Sequence, residues 1–128
     1  MGKPVNSKAK RVETTTLNQK INRKVFNAFK DYCKELGYPM NIVIETFMRQ
    51  YSNDRFTINE NDINKWKVDE SELDILSTSF NKEIYSNFKY VCKEKGHFVK
   101  YVITAFMEII ITREFILEYT KIPNENKD

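Results

Sequence analysis

Thr16, Asn18 and Lys20, alternate residues of the stretch TTTLNQKIN, form the row of polar side chains best placed to hydrogen-bond a partner. A hydroxyl donates or accepts, an amide does both at once, and an ammonium only donates. Side chains two apart on an extended chain share a face, so these three point one way while Leu17, Gln19 and Ile21 point the other. The same alternation also suits the solvated side of an edge strand. Gln19 is a polar residue on the inward side, which leaves a one-residue slip of register open. Catalytic chemistry is not indicated. The single histidine, His97, follows a turn glycine with no Cys/His/Asp set at triad spacing, and Cys33 and Cys92 lack the close spacing of metal ligands. The expectation is a protein that is not an enzyme, with no catalytic residue, metal, cofactor or small-molecule substrate.

The elements that would position the polar row follow from the residues around it. The stretch is Thr-rich and alternates with period two, as a short strand does. Asn22 stands where a helix N-cap belongs, and Val25, Phe26, Phe29, Tyr32, Cys33 and Leu36 recur at helical spacing until Gly37 supplies a stop. A second helix is predicted from about Pro39 through Ile42, Val43, Ile44, Phe47, Met48 and Tyr51. The pattern is then said again. FKDYCKELG at Phe29–Gly37 returns as FKYVCKEKG at Phe88–Gly96, an offset of 59, and Leu17–Tyr51 laid over Leu76–Ile110 gives 12 identities in 35 positions. Ile84, Tyr85, Phe88, Val91 and Cys92 repeat the first helix face, and a longer last helix runs from near Phe98 past Ile109, Ile110, Ile111 and Phe115 to Tyr119, ended by Pro123. The reading is therefore of a basic tail (1–13), a first repeat (14–53), an acidic, partly ordered linker (54–74), a second repeat (75–122) and a tail (123–128). The linker holds seven acids against three bases together with Phe56, Ile58, Ile63, Trp66 and Val68, so a helical turn is expected around Asn61–Trp66.

Bulk properties narrow the class. A unit of about 40 residues is too small to hold a core alone, so each copy needs a partner copy. With 41% hydrophobic and 30% charged residues the 128-residue chain has the balance of a soluble globular protein. The apolar run YVITAFMEIIIT is broken by Glu108 and is too short to cross a bilayer, and the sequence opens on no secretory signal pattern. A cytoplasmic location follows as an expectation, with both cysteines reduced and acting as small apolar core residues; a Cys33–Cys92 disulfide is the alternative. Charge is uneven: residues 1–51 hold 10 Lys/Arg against 4 Asp/Glu, the remainder 11 against 14. Such a local excess suits either a phosphate-facing surface or a solvated charged face.

Strand, helix, glycine turn and helix in about 40 residues, with TTLNQKIN leading into the first helix, resembles the ribbon-helix-helix (Arc/MetJ-like) family of DNA-binding proteins. The resemblance covers about 35 residues twice. It implies a mainly α fold with a short two-stranded antiparallel β-ribbon, here two repeats forming an intramolecular pseudo-dimer. Reciprocal pairing between two chains is the other arrangement, since a 21-residue linker reaches up to roughly 70 Å and fixes neither. A two-stranded ribbon fits the major groove, where Asn18 would pair with adenine, Lys20 with guanine, and Thr16 with a phosphate, a base edge or a thymine methyl. In the second repeat Leu76, Thr78 and Phe80 would face inward and Ile75, Ser77 and Ser79 outward, so Ser77 and Ser79 are the expected base contacts there, and an asymmetric site is favoured. The resemblance also implies phosphate contacts at the start of each second helix. These would be the amides around Met40 and Asn41 and around Val99 and Lys100, although the usual Ser or Thr cap is missing from both. Lys3, Lys8, Lys10 and Arg11 would add contacts from the tail.

The implied function is sequence-specific binding of double-stranded DNA, as a transcriptional repressor or as an accessory factor in plasmid partition or conjugation. The alternative is an antitoxin-like or purely protein-interaction module of the same fold, for which the acidic linker and the long last helix speak. Ile109, Ile110, Ile111, Phe115, Ile116 and Tyr119 give that helix an apolar stripe beyond the needs of its own repeat, so part of it is expected to pack on the linker around Trp66 and the rest to join chains in self-association.

Overall fold

The computed structural model describes residues 13–68 and 72–112, in which the Thr-rich stretch is a strand, β1 (Thr14–Asn22), and helix α1 (Arg23–Leu36) starts directly from it. Asn22 makes that junction: its side chain accepts a hydrogen bond from the Val25 N–H at 3.1 Å, satisfying one of the donors that a helix start leaves free. Gly37 ends α1 with φ 81°, a left-handed conformation that suits glycine, and donates its N–H back to the Cys33 and Lys34 carbonyls. Helix α2 (Met40–Ser52) follows, with Pro39 as its N-cap and no capping side chain. The acidic segment contains a full helix, α3 (Glu60–Val68), longer than the turn expected over Asn61–Trp66. Strand β2 then runs Leu73–Asn81, two residues earlier than the expected start at 75. Helices α4 (Lys82–Glu94) and α5 (Val99–Thr112) complete the described chain, with Asn81 capping α4 through the Ile84 N–H at 3.0 Å.

The architecture is mainly helical, five helices with one two-stranded antiparallel sheet among the described residues. β1 pairs with β2 of the same chain, Asn18 standing opposite Ser77, Thr16 opposite Ser79 and Lys20 opposite Ile75. Backbone bonds from Arg23 N to Glu72 O and from Lys82 N to Glu13 O, both 2.9 Å, close the ladder at its two ends. Helix α1 packs on α5 and α2 on α4, while α5 lies over β1 and α2 over β2. Four phenylalanines join these layers. Phe47 of α2 stacks on Phe106 of α5 with centroids 4.1 Å apart, and each meets a further ring edge-on, Phe106 with Phe29 at 5.8 Å and Phe47 with Phe88 at 5.6 Å.

The inward row of the ribbon is Leu17, Ile21, Leu76 and Phe80, all buried, with Gln19 and Thr78 half-buried. The register therefore falls as the alternation predicts, and the amide of Gln19 is accommodated by a side-chain hydrogen bond to Tyr85. Two apolar residues placed on buried faces are instead open: Leu36 is 43% and Ile42 41% exposed, because Leu36 sits at the last turn of α1 and Ile42 near the free start of α2. Cys33 and Cys92 are buried free thiols, and burial pushes them up to about 11 and about 12, so both stay neutral and unreactive near pH 7. The last helix makes the expected contact with the linker, α5 packing on α3, and its described part is covered further than expected. Ile109 and Ile110 are buried in the chain's own core and Ile111 packs partly against it, so these three are not an open stripe. Phe115, Ile116 and Tyr119, the tail cations Lys3, Lys8, Lys10 and Arg11, and residues 123–128 lie outside the described residues. No helix among the described residues is long and apolar enough to cross a membrane.

Because the Asn caps lie at the turn from sheet to helix, Asn22→Ala and Asn81→Ala are each expected to lower stability by about 1 kcal/mol, read as a shift in the urea midpoint at unchanged slope.

Candidate nucleic-acid interface

A two-stranded sheet covered by helices on one side leaves its other face to solvent. On that face Thr16, Asn18 and Lys20 of β1 stand beside Ser79, Ser77 and Ile75 of β2, and all six are exposed. They form three cross-strand pairs in a row. The Thr16 and Ser79 hydroxyls lie 3.4 Å apart, close enough for one to donate to the other. Asn18 and Ser77, in the centre, are also 59 residues apart in the chain, so the middle of the ladder joins matching positions of the two similar segments. Ile75, opposite Lys20, is 59% exposed. The alternation places Ile75 outward, as found, but only Ser77 and Ser79 of that row were expected as base contacts.

Charged groups flank the row without crossing it. Arg23, the first residue of α1, lies 3.5 Å from Glu72 and 3.7 Å from Asp74, and Lys82, the first residue of α4, lies 3.6 Å from Glu13. These pairs are exposed and contribute little to stability, but they occupy the cations nearest the ladder ends. Lys20 and Lys100 are not engaged by a carboxylate among the described residues.

The helix starts behave as expected of uncapped termini. Ile42 N and Val43 N donate to Pro39 O, and Tyr101 N and Val102 N donate to Phe98 O, so Met40, Asn41, Val99 and Lys100 hold the N–H groups without an intrahelical acceptor. The helices pack on the sheet, α2 against β2 and α5 against β1. The two ends are chemically unlike. Near β1 stand Lys20 and Lys100; at the corresponding positions, 59 residues away, are Ser79 and Asn41. There Glu45 accepts a hydrogen bond from the Asn81 N–H, so a carboxylate faces that end of the ladder.

His97 has a structural setting. Its side chain is 6% exposed, with Nε2 3.5 Å from a Glu60 carboxylate oxygen, which ties the turn before α5 to the start of α3. Lys65 and Glu108 make a second tie between α3 and α5 at 2.8 Å. No cluster of three or more His, Cys, Asp or Glu side chains suited to a metal is found among the described residues.

Compared with protein-family models, curated proteins and solved structures, the chain matches none.

Proposed function

We infer that this chain is a sequence-specific binder of double-stranded DNA, built as two ribbon-helix-helix repeats that form a pseudo-dimer within one chain. The observation that carries the reading is the exposed grid of Thr16, Asn18 and Lys20 beside Ser79, Ser77 and Ile75, with Asn18 and Ser77 at its centre. Five residues of extended strand cover about 13 Å, and two strands lie about 5 Å apart, dimensions that enter a major groove about 12 Å wide. In that groove Asn18 presents a donor and an acceptor to adenine, and Lys20 donates to guanine. Ile75 offers a thymine methyl an apolar contact, and Thr16, Ser77 and Ser79 reach base edges with short hydroxyls. The Met40, Asn41, Val99 and Lys100 amides at the starts of α2 and α5 would hold phosphates on either side. Because one strand carries the amide and the ammonium while the other carries hydroxyls and an isoleucine, the favoured site is not a perfect palindrome.

Selection of duplexes from a random pool, followed by fluorescence anisotropy on the winner and on a scrambled duplex, tests the reading. The selected duplex should bind more tightly, with log K falling linearly in log salt by about 0.9 per phosphate contact. Removal of residues 1–13 should weaken both duplexes alike and flatten that slope. Equal affinity for selected and scrambled DNA would remove base reading from the proposal.

A further inference from the structure

Helix α4 carries a second stripe beside the face that it buries. Ser86, Lys89, Tyr90 and Lys93 recur at helical spacing, all exposed, and with Phe98 in the turn before α5 they line a surface groove of about 710 Å³. Two large rings stand open in it: Tyr90 is 64% and Phe98 67% exposed. Open rings gathered in one groove, rather than scattered singly, mark a surface that another molecule covers. The fold does not require them. The first of the two similar segments builds the same helix and turn with Asp31 and Pro39 at the matching positions, 59 residues earlier. What the two segments share is a cation over a ring, Lys30 over Phe26 at 4.6 Å and Lys89 over Tyr85 at 4.9 Å.

The charge of the groove points to its occupant. Lys89 and Lys93 line it and no Asp or Glu does; Glu60, which meets His97 of the same turn, is not among its walls. Lys93 is engaged by neither a carboxylate nor a ring among the described residues. A second copy of the chain does not supply the complement. Its acidic segment keeps Phe56, Ile63 and Trp66 buried in its own core, and its open Leu36 and Ile42 belong to the basic first half. We propose that the groove docks an acidic peptide segment of a different protein, with one aromatic or large aliphatic side chain seated against Tyr90 and Phe98 and carboxylates meeting Lys89 and Lys93. The interaction does not depend on the DNA-binding reading, because none of these side chains is assigned to a base edge.

Selection of random 12-residue peptides displayed on phage, with the full chain as bait, supplies the probe, and anisotropy of the fluorescein-labelled winner measures its affinity. Winners should carry several Asp or Glu around an aromatic or leucine-like residue, and should bind more weakly as salt rises. The same peptide with Lys in place of its acids should not bind. Tyr90→Asp, which installs the residue that the first segment holds at this position, and Lys93→Gln should each weaken the winner roughly tenfold or more, with urea midpoints close to wild type. Winners without an acidic bias, or winners that bind a folded Tyr90→Asp or Lys93→Gln chain as they bind wild type, overturn the proposal. Should Tyr90→Asp fail to fold, Lys93→Gln decides alone. Peptide binding that appears only after removal of residues 113–128 would make the chain's own end the occupant. A mass that rises with concentration in light scattering, and no longer does so in Lys93→Gln, would make a second copy the occupant. Duplex affinity lost in Lys93→Gln, with peptide affinity kept, would make it DNA. Each of these three results overturns the partner peptide, as does a chain that captures no peptide in either form, and the last leaves the ribbon reading untouched.

Discussion

Phe47→Ala is expected to remove about 3–5 kcal/mol of folding stability, the range for deleting a fully buried phenylalanine. The site justifies the upper part of that range. Phe47 is completely buried and touches four other rings: it stacks on Phe106, and its centroid lies 5.6 Å from Phe88, 5.4 Å from Tyr51 and 5.1 Å from Phe56. These partners come from α2, α4, α5 and the segment after α2, so one truncation loosens contacts on both sides of the core. Collapse around the gap is restricted because the neighbouring rings are held from several elements at once. Against a total stability of about 5–15 kcal/mol for a domain, the loss should lower the melting midpoint by 10 °C or more, by roughly the usual conversion for a chain of this size. Urea unfolding followed by circular dichroism measures it, with Phe47→Leu as the milder comparison. A loss below about 1 kcal/mol would mean that α2 and α5 do not meet through this ring.

Lys20→Ala is the second large effect, and it falls on binding. Lys20 is exposed on the outward row opposite Ile75, where its ammonium is not engaged by a carboxylate among the described residues. If it donates to a guanine, its loss should weaken the selected duplex by about 1–3 kcal/mol and relax the preference at one base pair. A cation that met only phosphate would behave otherwise: its removal would weaken every duplex to a similar degree and reduce the salt slope by about one. Anisotropy with a panel of single-base variants of the selected site separates the two. Stability should change by no more than about 0.5 kcal/mol, because the side chain is exposed on the outward row.

Much of the ribbon was legible because a strand forces its side chains to alternate. Once Leu17 and Ile21 were assigned inward, Thr16, Asn18 and Lys20 had no other face to take, and the same logic placed Ile75, Ser77 and Ser79. The asparagine caps and the stop at Gly37 were readable for a similar reason, since each satisfies a local need of the helix beside it. What stayed hidden depends on contacts far apart in sequence. Nothing local says that Gln19 meets Tyr85, that Glu60 reaches His97, or that Trp66 comes to the Lys20 end of the ladder, whereas the surplus apolar stripe of the last helix did point to its packing on the linker around Trp66. The apolar stripe at Ile109 and Ile110 was plain, but the pattern alone does not say how much of it the same chain covers.

The pairing of β1 with β2 inside one chain reaches beyond geometry. A sheet assembled from two molecules dissolves when the molecules become scarce, because its formation follows mass action. A sheet closed by a tether has no such threshold. Its two strands meet at a local concentration fixed by the intervening segment, which is the same whether a cell holds thousands of copies or a handful. Each strand is also free to change without its partner changing in step, since one substitution alters one position and not two. A chain organised in this way keeps its outward face intact at vanishing abundance and can hold a different residue at every place on it.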